Sequence, residues 1–304
     1  MLNLTQEEKI LWGKRLREPK NLPFTAPEGY LDCVDQVQRK EFQIMGADHQ
    51  KITVWLTTTE DKTANSMLYL NIHGGGFVQQ HAVWDHALCA IMAKEFRCAV
   101  LDVDYRLAPE YPFPAALNDC YDVLQWVYDH AEELEVDPDK IVIGGNSAGA
   151  TLSAGVCMKS AEKGTKMPNQ LVMIYPAGAM EQTEGVDVNG EIDLGDLSMR
   201  AVLYNNLYLE SDDQTKNPYV SLIYTPGELL EQLPDAVVIT AGKDPLCPGG
   251  EQFAMMMAAS GSRIVLRRFR NSGHGFYLRC IGDEWQEARK TVFEEIRRKM
   301  NIER

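Results

Sequence analysis

Ile141-Val142-Ile143-Gly144-Gly145-Asn146-Ser147-Ala148-Gly149 decides how this chain is read. The apolar residues at its start form a short strand, a G-x-S-x-G pentapeptide follows, and an alanine-rich helical stretch continues from it. A serine on such a sharp strand-to-helix turn is pushed out of the sheet in a strained backbone, with its hydroxyl accessible. Gly145 and Gly149 stand two residues to either side, where a side chain would collide with the neighbouring strand or helix. A pentapeptide can recur by chance, so its surroundings must carry the reading.

Outward from this stretch, strand-like apolar runs at 37–45, 51–57, 67–72, 97–102, 140–144, 170–175, 236–241 and 263–269 alternate with helical periodicity at 85–95, 114–133, 148–163, 250–260 and 283–300. The first strands follow one another directly. The later ones are separated by helices, as the crossovers of a parallel sheet require. The expected architecture is α/β, a mostly parallel eight-stranded sheet flanked by helices. Two segments break the rhythm. Residues 1–36 begin with a helix from Thr5 to Arg17, opened by the capping box Thr5-x-x-Glu8, and residues 178–232 carry the acidic run 181–196 and the amphipathic stretch 199–209. Neither can bury a core of its own, so both are expected to cap a core made of 37–177 and 233–304.

The 304 residues are 45% hydrophobic and 24% charged, ordinary values for a globular core, and the net charge of −14 argues against nucleic acid or an anionic membrane surface. The N-terminus shows no signal-peptide pattern, and no run reaches the length of a membrane span. Seven scattered cysteines without a C-x-x-C read as reduced thiols of a cytoplasmic protein.

A serine nucleophile needs a base to take its proton and an acid to orient that base. Downstream of Ser147 the chain offers Asp244, just after the apolar strand 236–241, and His274, in a glycine-flanked loop after the strand 263–269. His274 is the only histidine beyond Ser147, and Asp235 lies at the wrong end of its strand. Acyl transfer also needs donors aimed at an oxyanion. The run His73-Gly74-Gly75-Gly76-Phe77 supplies a backbone that a ligand can approach, and the N–H of Ala148 supplies a second donor. His73 is expected to pin the loop.

Together these motifs, with Asp104-Tyr105-Arg106-Leu107-Ala108-Pro109-Glu110, Asp244-Pro245-Leu246 and His274-Gly275-Phe276, resemble the hormone-sensitive-lipase-like branch of the α/β-hydrolases over nearly the whole chain from residue 40. The resemblance implies an α/β-hydrolase fold with a helical cap and a carboxylesterase acting on small-molecule esters with short to medium acyl groups, without cofactor. It further implies a Ser147–His274–Asp244 triad and oxyanion donors at Gly75, Gly76 and Ala148. An amidase or peptidase would use the same triad; a non-catalytic receptor on this fold would lack the histidine. A homodimer through the last strand or the C-terminal helix is a known association of the family, though no residue pattern here demands it. Two positions depart from the family: Asn146 replaces an acidic residue before the nucleophile, and Cys247-Pro248-Gly249 stands where a second acidic residue supports the histidine loop.

Phe77, Leu203, Tyr204, Leu207 and Phe276 are candidates to line a substrate pocket, while the cap residues, with Tyr208 and Trp12, would equally seal the cap onto the body. Asp104 and Arg106 are expected to pair with each other. His81, Asp85 and His86 suggest a metal site, but His81 and His86 are five residues apart, on different faces of a helix, with no third ligand of the expected kind nearby, so no metal is expected.

Overall fold

A computed structural model describes residues 2, 4–18, 24–180 and 197–302. The strands are β1 (Gln38–Met45), β2 (Lys51–Thr58), β3 (Ser66–Ile72), β4 (Ala99–Asp104), β5 (Val136–Asn146), β6 (Gln170–Ile174), β7 (Ala236–Ala241) and β8 (Ile264–Phe269). They form one sheet in the order β1-β2-β4-β3-β5-β6-β7-β8. β2 runs antiparallel to both β1 and β4, and every later pairing is parallel. This is the expected eight-stranded, mostly parallel sheet, and the short link between β1 and β2 is what permits their antiparallel start.

Helices cover both faces. The helices are α1 (Gln6–Arg17), α2 (Val83–Phe96), α3 (Ala115–Asp129), α4 (Ala148–Lys163), α5 (Leu197–Tyr208), α6 (Gly227–Leu230), α7 (Cys247–Ala259) and α8 (Trp285–Met300). Leu117 and Cys120 of α3, Leu152 of α4 and Phe253 of α7 join one apolar core with Leu68, Leu70 and Ile72 of β3. Leu88 and Met92 of α2 and Val292 and Phe293 of α8 join the other, with Met67 and Tyr69 of the same strand. β3 and β7 are therefore buried along their whole length, whereas β8 at the sheet edge is half-exposed. α7 begins before the expected position because Pro248 is tolerated in a first helical turn, where its missing N–H has no partner to lose.

α1 starts on the anticipated capping box, with Thr5 N donating to Glu8 Oε2 at 2.7 Å and Glu8 N to Thr5 Oγ1 at 3.3 Å. It lies against α5, where Lys9 Nζ donates to the carbonyl of Leu209 at 3.1 Å. Its other end is fixed to the core by Arg17, which donates to the carbonyl of Val78 at 2.8 Å and the carbonyl of Ala108 at 2.6 Å, and forks onto Glu110. The acidic run 181–196 lies outside the described residues. No helix among the described residues is long and apolar enough to cross a membrane.

Candidate active site

Central strand β5 ends at Asn146 and helix α4 begins at Ala148, leaving Ser147 alone on the turn between them. Its backbone sits at φ 53° and ψ −122°, a left-handed strain that the surroundings impose. Its N–H is held by the carbonyl of Ile174 at 2.9 Å, and its own carbonyl accepts from Ala150 at 3.0 Å. The turn is possible because residue 149 has no side chain: a Cβ there would lie 2.0 Å from the carbonyl oxygen of Ile72. Strain and crowding together aim the hydroxyl outward.

Two other strands deliver the partners. Asp244 follows β7 and is buried, and one carboxylate oxygen accepts the N–H of Leu246 at 3.0 Å. The other lies 2.6 Å from Nδ1 of His274, in the loop after β8. A carboxylate in that position fixes the proton on Nδ1, so Nε2 presents a lone pair, and Nε2 lies 3.0 Å from Ser147 Oγ. Arg279 donates to the carbonyl of His274 at 2.9 Å and the Tyr175 ring packs 4.8 Å from the imidazole, so the loop is braced from two sides. Residues 147, 244 and 274, distant in sequence, thus form one hydrogen-bonded chain.

The glycine run after β3 faces the same point. Gly75 and Gly76 have φ of +113° and +63°, which a side chain would oppose, and a Cβ on Gly76 would come 2.5 Å from the ring of Tyr204. The loop is tied to the 104–110 segment: Tyr105 Oη donates to the carbonyl of His73 at 2.9 Å, and Ala108 N to the carbonyl of Phe77 at 2.9 Å. Among the described residues, the N–H groups of Gly75, Gly76 and Ala148 make no hydrogen bond. Ala148 also opens α4, so the positive end of that helix points at the site.

Asn146, in the position the family fills with an acid, donates to Asp85 at 3.4 Å. Asp85 is buried at the start of α2, and burial pushes its carboxyl up to about 6. The acidic group beside the elbow comes from another element. After β7, where Cys247-Pro248-Gly249 lacks a carboxylate, Glu251 accepts from Thr240 at 2.8 Å and from Cys247 at 3.3 Å and pairs with Arg268. That ion pair holds Glu251 down at about 2. The sequence marks Asp85 only as a candidate metal ligand and Glu251 not at all, because each supports the site across elements.

The site opens into a cleft of about 670 Å³ whose described walls include Gly76, Phe77, Ser147, Tyr204 and His274. Tyr204 donates to Gln79 at 3.0 Å, and Phe77 stacks on Tyr208 at 3.8 Å. Leu203, Leu207 and Phe276 do not line it. On α5 Leu203 and Leu207 lie about 100° and 60° to one side of Tyr204 and are buried in the core, and Phe276 packs between Tyr175 and Phe269. Those three expectations are corrected: burial of apolar area drew these side chains inward.

Behind the glycine loop lies a second imidazole–carboxylate group. His81 precedes α2 instead of lying on it, so the helical-face argument does not apply to it. Its Nε2 is 2.9 Å from Asp102 and its Nδ1 3.4 Å from Asp104. Burial opposes charge on His81, but Asp102 outweighs it and raises the imidazole to about 10, while His81 helps hold buried Asp102 at about 2. His86, 3.9 Å from Asp102, is pushed down to about 4 by burial. His73 is fully buried, stacked on Tyr105, with Nδ1 donating to the carbonyl of Gly74 at 2.7 Å. The expected Asp104–Arg106 pair does not form. Arg106 turns to Asp119 on α3 at 2.6 Å and Asp48 at 2.8 Å, because the chain leaves the sheet after Asp104.

A family model described as the alpha/beta hydrolase fold matches residues 69–278. The arylesterase of Saccharolobus solfataricus is 31% identical over 224 residues, covering 71% of this chain and 70% of that protein. The hormone-sensitive lipase of Bos taurus is 35% identical over 116 residues, 38% of this chain and 15% of the lipase. Among solved structures, an esterase of Pyrobaculum calidifontis superposes with a TM-score of 0.78 at 28% identity, covering 97% of this chain and 94% of that one. With the elbow, the glycine run and the strand order already in place, these likenesses establish that the chain belongs to the α/β-hydrolase fold family, in its hormone-sensitive-lipase-like branch.

Proposed function

We propose that the protein is a serine carboxylesterase that hydrolyses small-molecule esters with short to medium acyl groups. The observation that carries this is the continuous chain from Ser147 Oγ through both ring nitrogens of His274 to Asp244, at 3.0 and 2.6 Å. His274 takes the serine proton as Oγ attacks the ester carbonyl, and Asp244 holds the imidazole in the tautomer that can accept it. The carbonyl oxygen, now an oxyanion, is received by the N–H groups of Gly75, Gly76 and Ala148, and one such donor is worth roughly 3–4 kcal/mol in the transition state. His274 then protonates the departing alcohol. It next removes a proton from water, which attacks the acyl-enzyme and releases the acid.

In this reading α1 and α5 form the cap over the carboxyl end of the sheet. The cleft volume of about 670 Å³ suits a small ligand, and the Tyr204 ring against Gly76 narrows it beside the oxyanion donors. A panel of p-nitrophenyl esters of rising acyl length tests the proposal. Activity is expected to peak at short to medium chains and to fall by roughly 10⁴-fold or more in Ser147→Ala. Retention of the rate in that variant would refute the assignment of the nucleophile, and a preference for long chains would refute the acyl class.

A further inference from the structure

Of the sixteen buried side-chain polar atoms that lack a hydrogen-bond partner among the described residues, six belong to one group behind the oxyanion loop: Asn71 Oδ1, His73 Nε2, both ring nitrogens of His81, His86 Nδ1 and Asp102 Oδ2. Four of these make ion-pair approaches within the group, His81 Nε2 to Asp102 Oδ2 at 2.9 Å among them, while Asn71 Oδ1 and His73 Nε2 have none, and an unsatisfied polar atom in an interior is costly. The sheet register explains how they meet. Asn71 pairs with Asp102 and Ile72 with Val103, so His73 and Asp104 leave β3 and β4 at the same level.

The donor geometry narrows what fits. The Gly74 carbonyl can only accept, so its 2.7 Å contact puts the proton on His73 Nδ1 and leaves Nε2 a bare lone pair. A backbone carbonyl on the far nitrogen is the usual support of a metal-binding histidine. His81 faces His73 with ring centroids 4.0 Å apart. Carboxylate oxygens approach both nitrogens of His81, at 2.9 and 3.4 Å, without aligned hydrogen bonds, so an ion that binds there releases to solvent the ring proton those carboxylates hold. One donor atom each from His73, His81 and Asp104 falls within 4.8 Å of the others. A tetrahedral ion with bonds of about 2.1 Å holds its ligands roughly 3.4 Å apart, so modest rotations close the set. Asp104, whose side chain is 39% exposed, is free to make such a rotation and opens the group to solvent.

We propose that His73, His81 and Asp104 bind one divalent transition-metal ion of the zinc class, with Asp102 as the adjoining carboxylate. Two imidazole nitrogens and a carboxylate oxygen are a donor set that zinc accepts. The bound ion staples the oxyanion loop to the ends of β3 and β4. The site is separate from the triad and stands whether or not the ester-hydrolase reading holds.

The test is calorimetric titration of the chelator-stripped full chain with Zn²⁺, together with the visible spectrum of the Co²⁺-loaded protein. The expected result is one ion per chain, with the absorption of four- or five-coordinate cobalt, in both wild type and His274→Ala. His81→Ala and the more exposed Asp104→Asn should each weaken affinity roughly 100-fold or more, and zinc should raise the unfolding midpoint of wild type but not of either variant. Absence of binding would overturn the proposal and leave His81 as an imidazolium held between two carboxylates. Binding lost in His274→Ala but kept in His81→Ala would place the ion on the triad and overturn it too. Binding indifferent to every one of these substitutions would do the same.

Discussion

Two histidines of this protein each meet buried carboxylate, and only one is arranged to move a proton. His274 touches a single carboxylate in line with Nδ1 and turns its other nitrogen to the serine hydroxyl, in a cleft reached by solvent. His81 lies between two carboxylates, aligned with neither, behind the loop and 6% exposed. The first arrangement leaves a lone pair beside the Ser147 hydroxyl. The second accumulates negative charge around a ring and holds a cation there, which is why His81 is raised to about 10. The same two side-chain types thus serve opposite ends, and alignment decides between them.

This contrast can be broken at the carboxylates. Asp244→Asn is expected to lower kcat by about 10⁴-fold, because an amide there favours the wrong imidazole tautomer; stopped ester assays on purified variant measure it. Asp102→Asn should act on stability instead, costing about 3–5 kcal/mol in denaturant unfolding, since it leaves His81 without its nearest buried partner. If Asp102→Asn proved neutral in stability, the charge-holding account of the second group would fail. Gly76→Ala sharpens the picture of what the loop contributes. Its Cβ must displace Tyr204, and the loss of one oriented donor predicts a fall of about 10²–10³ in kcat. An effect on KM alone would show that the loop binds substrate without stabilising charge.

The smallest effect concerns Glu251. Its carboxyl lies below the ordinary 4.5 in the folded state, chiefly because of Arg268. The pairing therefore stabilises the fold above pH 4.5, and that contribution is lost as the pH falls towards 2. In Glu251→Gln this part of the acid-side loss is expected to vanish, so the gap in unfolding midpoint between wild type and variant should narrow from pH 6 to pH 3. A gap that stayed constant would mean that Glu251 keeps its proton affinity on folding.

The legible part of the site was the part written at strand ends. Ser147, Asp244 and His274 each follow an apolar strand within a few residues, so sequence order and strand polarity place them at one edge. The second histidine group was not legible. Residues 73, 81, 102 and 104 come from two strands and a loop, and only the β3–β4 register brings them together. The helical-face reading of His81 and His86 failed because α2 starts at Val83, after the first of them. On α5 the apolar positions were recognised but not their direction: Tyr204 faces the cleft, while Leu203 and Leu207 face the core. An amphipathic stretch fixes which residues share a face and leaves open which of two apolar surroundings that face meets.

The central claim is that Ser147 is made nucleophilic by its hydrogen-bonded partners. Treatment with a fluorophosphonate followed by peptide mass mapping tests it most directly. The account predicts one phosphonyl adduct per chain, on Ser147, abolished in Ser147→Ala and formed at least about 10³-fold more slowly in His274→Ala. A chain that stays unlabelled, or that is labelled at another residue with Ser147 intact, would contradict it.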